Sequence, residues 1–130
     1  MINCKTWHPI AKDQKNFVWS CTQEGIELHH STDNPSYVIP WAVFYEVYNY
    51  SYSLAQKQNG NVVAGLSEDN PPEGSIGKWV NSQKFKISKN TLTSRHLSFL
   101  GPIFGHMGFI KRKIHKKSIV WEFNSFVSKD

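Results

Sequence analysis

From Ile39 to Gly60 the chain reads IPWAVFYEVYNYSYSLAQKQNG, and this segment limits the fold more than any other. Proline fits the first helical position, glycine fits the left-handed stop, and Lys57 suits the last turn, so the segment predicts one helix of about five turns. Phe44, Val47, Tyr48, Ser51, Leu54 and Ala55 recur at the i, i+3, i+4 spacing of a buried face, while Tyr45, Tyr52 and Gln56 point elsewhere. A helix this rich in aromatics needs cover on more than one side. The expectation is a core helix whose second face, marked by Tyr45 and Tyr52, makes a homodimer through residues 40–58.

The rest of the chain supplies shorter elements. NFVWSC and GIELHH flank the turn-like TQEG, and Phe17, Trp19, Cys21, Ile26 and Leu28 alternate as the buried face of a hairpin. STDNPS, residues 31–36, reads as a turn, and NVVAG as a short strand. LSEDNPPEGS is acidic and rich in proline and glycine, a surface loop after which Ser75 can cap a short helix, IGKWVNSQ. One domain over 1–130 follows, with a hairpin and long helix in 1–66, an acidic loop in 67–74 and a second half in 75–123. Cys4 and Cys21 have no second cysteine or histidine at zinc-ligand spacing, and read as small, partly buried hydrophobes; no metal or cofactor is expected. With no apolar run of about 18 residues and no secretory leader pattern, the chain is expected to be soluble and cytoplasmic, without a membrane partner.

Charge divides the chain unevenly. Residues 1–73 hold four lysines against eight acids, and residues 74–130 hold eleven cations against two acids. Solubility would be served by an even mixture, so a basic C-terminal half points to a polyanionic partner.

That half begins with the short helix and a basic connection, KFKISKNT. A second helix is expected from Thr91 or Thr93, and then a hairpin made of FIKRK, a turn at IHKK and SIVWEF, in which Ile119, Trp121 and Phe123 alternate. Helix, turn, helix and a basic two-stranded ribbon is the plan of a winged helix-turn-helix, giving an α+β fold class. ISKNTLTSRHLSFL with MGFIKRKIHKKSIVWEF resembles the DNA-reading half of winged-helix repressors of the arsenic-sensor type. Ser94, Arg95, His96 and Leu97 match the start of that family's recognition helix, Gly108 to Ile110 its Gly-Phe-Ile step, and Lys111 to Lys117 its wing. The family's metal-binding cysteines have no counterpart, so metal sensing is not carried over.

The resemblance implies duplex DNA as partner and a role as a transcriptional regulator. Lys89, Thr91, Thr93, Ser94, Arg95 and His96 would contact bases or phosphates at the helix start. Lys111, Arg112, Lys113, His115, Lys116 and Lys117 would hold the sugar-phosphate backbone. Between the two groups stands Gly101-Pro102. Because proline removes a helical hydrogen bond, the helix is expected to end near Leu100, with Pro102 opening a new turn.

No phosphate-cradling loop, nucleophile elbow or nuclease carboxylate set occurs, and the protein is expected not to be an enzyme. Two alternatives stand beside DNA binding. One is a small dimeric interaction or ligand-binding module whose basic face is only solvated. The other is a metal-free ribonuclease using His96, His106 and His115.

Overall fold

A computed structural model describes residues 1–29, 37–67 and 69–124. The chain is mixed α+β. Strands β1 (Ile2–Lys5), β2 (Asn16–Cys21), β3 (Gly25–His29) and β4 (Tyr37–Pro40) form an antiparallel sheet in sequence order. Helix α1 (Trp41–Gln56) follows directly, then β5 (Asn61–Val63) and α2 (Ile76–Gln83). A two-residue hairpin, β6 (Lys86–Ile87) and β7 (Asn90–Thr91), leads into a 3-10 turn at Ser94–His96 and helix α3 (Leu97–His106). Strands β8 (Ile110–His115) and β9 (Ser118–Phe123) close the described fold, and β5 joins them in the order β5-β9-β8. No helix among the described residues is long and apolar enough to cross a membrane.

The expected hairpin of β2 and β3 forms, with Trp19 opposite Leu28 and Cys21 opposite Ile26. Phe17, Trp19, Ile26 and Leu28 are buried, but Cys21, at the strand end beside the turn, is exposed. Cys4 is half-buried, and its thiol accepts a hydrogen bond from the Trp19 indole at 3.4 Å. The turn expected at 31–36 lies outside the described residues. Two elements exceed the sequence reading. β4 extends the sheet before Pro40, which therefore ends a strand and caps α1 instead of opening the helix. The basic connection folds as β6 and β7, fixed to β4 where the Ser88 hydroxyl accepts from the Val38 N–H at 2.7 Å.

Helix α1 buries Phe44, Val47, Ser51 and Ala55, close to the expected face. Gly60 (φ 86°) donates to the Ala55 carbonyl and stops the helix. The aromatics of its other faces are used within the chain. Tyr48 packs against Phe104, Phe109 and Phe123, Tyr52 against Phe123, and Tyr50 stacks on Trp79 with centroids 3.9 Å apart. Among large hydrophobic side chains of α1 only Tyr45, 56% accessible, is exposed. Tyr48, Tyr50 and Tyr52 are thus used within the chain, while Tyr45, one of the two residues that marked the expected dimer face, stays exposed.

Helix α3 lies between the two sheets. Phe99 meets Phe17 edge-on at 5.0 Å on one side, and Phe104 meets Trp121 at 5.5 Å on the other. Seven of its ten residues, Leu97, Ser98, Leu100, Gly101, Pro102, Ile103 and Phe104, are buried.

The expected break at Leu100 does not occur: α3 runs unbroken through Pro102. Proline has no N–H to give the carbonyl four residues earlier, that of Ser98. Another donor takes its place, since the backbone N–H of Trp7 reaches the Ser98 oxygen at 3.0 Å. The Trp7 ring then lies across Gly101 and Gly105, one turn apart. A Cβ on either glycine would come within 2.6 Å and 2.9 Å of the indole, respectively. Gly101-Pro102 is therefore a seat for the N-terminal segment, made from one freed carbonyl and two missing side chains.

Candidate nucleic-acid interface

The structure separates the expected contact residues into two groups. One sits where the chain enters α3, the other on the β8–β9 ribbon at its far end. The ten residues of α3 span about 15 Å at 1.5 Å per residue.

In the first group, Ser94 and His96 lie inside the protein, 0% and 3% accessible. The first backbone donors of a helix have no helical partners and must be satisfied from elsewhere. Here the Thr93 N–H donates to His96 Nδ1 at 2.9 Å, and the Ser94 N–H donates to Asn81 Oδ1 at 2.8 Å. The Ser94 hydroxyl in turn donates to the Ser67 carbonyl at 2.7 Å, and Tyr37 stands edge-on to the His96 ring at 5.7 Å. Serine and histidine thus fix α3 to α2 and to the Tyr37 strand, and their polar atoms do not face a groove.

Arg95 is exposed, as is Lys89, while Thr91 and Thr93 are partly buried. Burial pushes the Tyr37 phenol up to about 12, with the Arg95 charge pulling the other way, so Arg95 acts electrostatically on that ring. With Trp7, Phe17 and Tyr37 covering α3, this helix has no free face to lay in a major groove. The expected geometry of a reading helix is corrected on this point.

The second group stands clear of the core. β8 is an edge strand, and after Ile110 every residue on it is exposed. Lys111, Arg112, Lys113 and His115 lie along it, and Lys116 and Lys117 make its turn. Lys113 lies 4.0 Å from the Glu122 carboxylate and reaches Asn61 Oδ1 at 3.4 Å. Among the described residues Lys111, Arg112, Lys116 and Lys117 have no acidic partner.

The turn itself is unusual. His115 pairs with Ser118, leaving Lys116 (φ 49°) and Lys117 (φ 66°) as the two central residues, both left-handed. A two-residue turn with both φ positive matches the twist of a hairpin, but asparagine and glycine normally fill it. An L-residue with a full side chain costs about 1–2 kcal/mol in that conformation. Two lysines here sacrifice local stability to place two charges at the tip.

A third feature escaped the sequence reading. β1 and β8 are the open edges of their sheets, and a cleft of about 500 Å³ lies between them, lined also by the end of α3. Lys5, Lys111, Arg112, His106, Trp7 and Gln14 are on its walls, with no acidic residue among them. Lys5 belongs to the acidic half of the sequence, so the charge count along the chain could not place it here. The usable signal was the helical spacing of Gly101 and Gly105, which leaves room for a close partner on that face.

The three histidines weighed as a catalytic set do not meet. His96 is buried, His106 stands edge-on to Trp19 at 5.6 Å, and His115 lies at the other end of β8 from α3. No group of three or more His, Cys, Asp or Glu side chains among the described residues could hold a metal ion.

No protein-family model matches the chain, and neither the curated proteins nor the solved structures give a match to it.

Proposed function

We propose that this protein is a non-enzymatic nucleic-acid-binding protein that grips the sugar-phosphate backbone of duplex DNA with the β8–β9 ribbon. The observation that carries the reading is the strained lysine pair at the ribbon tip. A turn selected for folding alone would use Asn-Gly, whereas strain of this kind collects where function requires it.

Three further points support it. Five permanent cations, Lys111, Arg112, Lys113, Lys116 and Lys117, occupy one ribbon. The order α2, α3, ribbon follows the plan of a winged helix-turn-helix, and β5 from between α1 and α2 completes the ribbon's sheet. The SRHL and GFI steps carry the resemblance stated above. Because α3 is covered, the ribbon and the exposed Arg95 supply affinity and orientation, and base reading at Ser94 or His96 is not part of the proposal.

Duplex titration at about 50 and 200 mM salt tests it. If all five ribbon cations engage phosphates, the slope of log K against log salt is about −4.5, a loss of several hundredfold over that interval. Reversing Lys116 and Lys117 to glutamate lowers the slope by about 2. Absence of binding by the unaltered chain at about 50 mM salt disproves the reading.

A further inference from the structure

We infer that the cleft between β1 and β8 is a binding site for a nucleoside monophosphate, with the phosphate on Lys5, Lys111 and Arg112 and the base against Trp7. The site shares Lys111 and Arg112 with the ribbon and adds Lys5 and Trp7 from the opposite end of the chain, so it can hold even if the ribbon does not grip duplex DNA.

Three observations lead to it. First, three permanent cations, Lys5 from β1 and the consecutive Lys111 and Arg112 from β8, line one open depression with no acid on its walls. Among the described residues none of the three forms an ion pair elsewhere. Like charges held this way repel, and a concave wall of one sign focuses its field on an incoming anion.

Second, the size discriminates among anions. The depression is open to solvent, and its volume of about 500 Å³ leaves room beside a bare phosphate for an organic group. Third, the cleft offers an aromatic surface beside its charges. Trp7 is half-buried, its ring lies against Gly101 and Gly105, and its backbone N–H donates to the Ser98 carbonyl, so the residue is held at the wall. Base stacking on such a ring favours no particular base, and Gln14 places an amide nearby.

The same chemistry could come from a free nucleotide or from the phosphorylated end of a nucleic-acid strand. Calorimetric titration of the full chain with adenosine 5′-monophosphate, adenosine, ribose 5-phosphate and inorganic phosphate tests the site. The nucleotide is expected to bind, and adenosine or ribose 5-phosphate to bind about tenfold more weakly, because each lacks one of the two contacts. Lys5→Glu and Arg112→Glu, exposed residues on separate strands, should each weaken nucleotide binding by about tenfold or more. Lys57→Glu, the same charge change at the end of α1 and on no wall of the cleft, should leave it within about twofold.

Displacement of the nucleotide by a 5′-phosphorylated oligonucleotide, and not by its unphosphorylated twin, assigns the site to a strand end. Indifference to both assigns it to free nucleotides, and either result keeps the site. Equal binding of nucleotide and adenosine, no nucleotide binding at millimolar concentration, or equal loss from Lys57→Glu and Lys5→Glu would overturn it.

Discussion

Replacing Gly101 by alanine tests how the two halves of the chain are joined. In the interior of an ordinary helix this change stabilises by about 0.5–1 kcal/mol, because glycine loses more backbone freedom on folding. Here the new Cβ would stand 2.6 Å from Trp7 Cε3, 3.1 Å from Cζ3 and 3.2 Å from Trp121 Nε1. The Trp121 ring is fully buried and cannot retreat, so the indole of Trp7 must move. Overpacking of this kind costs about 1–3 kcal/mol and exceeds the helix gain, leaving a net loss of about 1–2 kcal/mol. Gly105→Ala meets the same ring at 2.9 Å and 3.1 Å and should lose about 1 kcal/mol. With Trp7→Ala the backbone N–H that serves Ser98 remains and the nearest obstacle is gone, leaving only the 3.2 Å approach to Trp121 Nε1. Gly101→Ala should then be neutral or slightly stabilising, a coupling of about 2 kcal/mol in a double-mutant cycle followed by urea unfolding. If Gly101→Ala stabilises the unaltered protein, or if the coupling is below about 0.5 kcal/mol, Trp7 does not sit on α3.

Other expectations follow from single sites. His96→Ala removes the acceptor for the Thr93 N–H and opens a cavity, and should cost about 2–3 kcal/mol in urea unfolding; a loss of DNA binding with unchanged stability would place His96 on the surface instead. Lys116→Asn with Lys117→Gly relieves both left-handed residues and should raise stability by about 1–2 kcal/mol while lowering the salt slope of duplex binding by about 2. The Tyr37 phenol, pushed up to about 12 mainly by burial, keeps its proton above pH 10, where an unfolded tyrosine loses it. Its contribution, up to about 3 kcal/mol, is therefore complete below pH 10 and lost as pH rises toward 12. A phenolate absorbance titration should resolve a phenol that ionises only near pH 12, and if none is found Tyr37 is not enclosed.

The elements that were legible in the sequence are those with a sustained period. Helix α1 announced itself through Phe44, Val47, Ser51 and Ala55, the first hairpin through Phe17, Trp19, Ile26 and Leu28, and the ribbon through Ile119, Trp121 and Phe123. Strands of two to four residues, such as β4 and the β6–β7 pair, carry too few positions for a period to show. The Gly-Pro break was misread for a different reason. Local rules ask whether proline's missing N–H leaves an orphan carbonyl, and within α3 it does. The donor that satisfies it belongs to Trp7, at the other end of the sequence, where nothing local marks it.

The residues expected to make contacts divide along the same line. The exposure of Lys111 to Lys117 could be foreseen because an edge strand rich in lysine needs no distant partner. Ser94 and His96 matched a family's reading helix, but in this chain the first turn of α3 consumes them as hydrogen-bond partners, and the N-terminal sheet covers what remains. That covering has a further consequence for the charge pattern. The segment that closes α3 against a groove runs from Cys4 to Trp7, and its Lys5 and Trp7 are the residues that face Arg112 across the cleft. The contacts that remove the helix as a reader therefore build the second basic surface of the molecule. An acidic-looking half of the sequence supplies one wall of it, because a strand edge presents its own local side chains whatever the net charge of the segment to which it belongs.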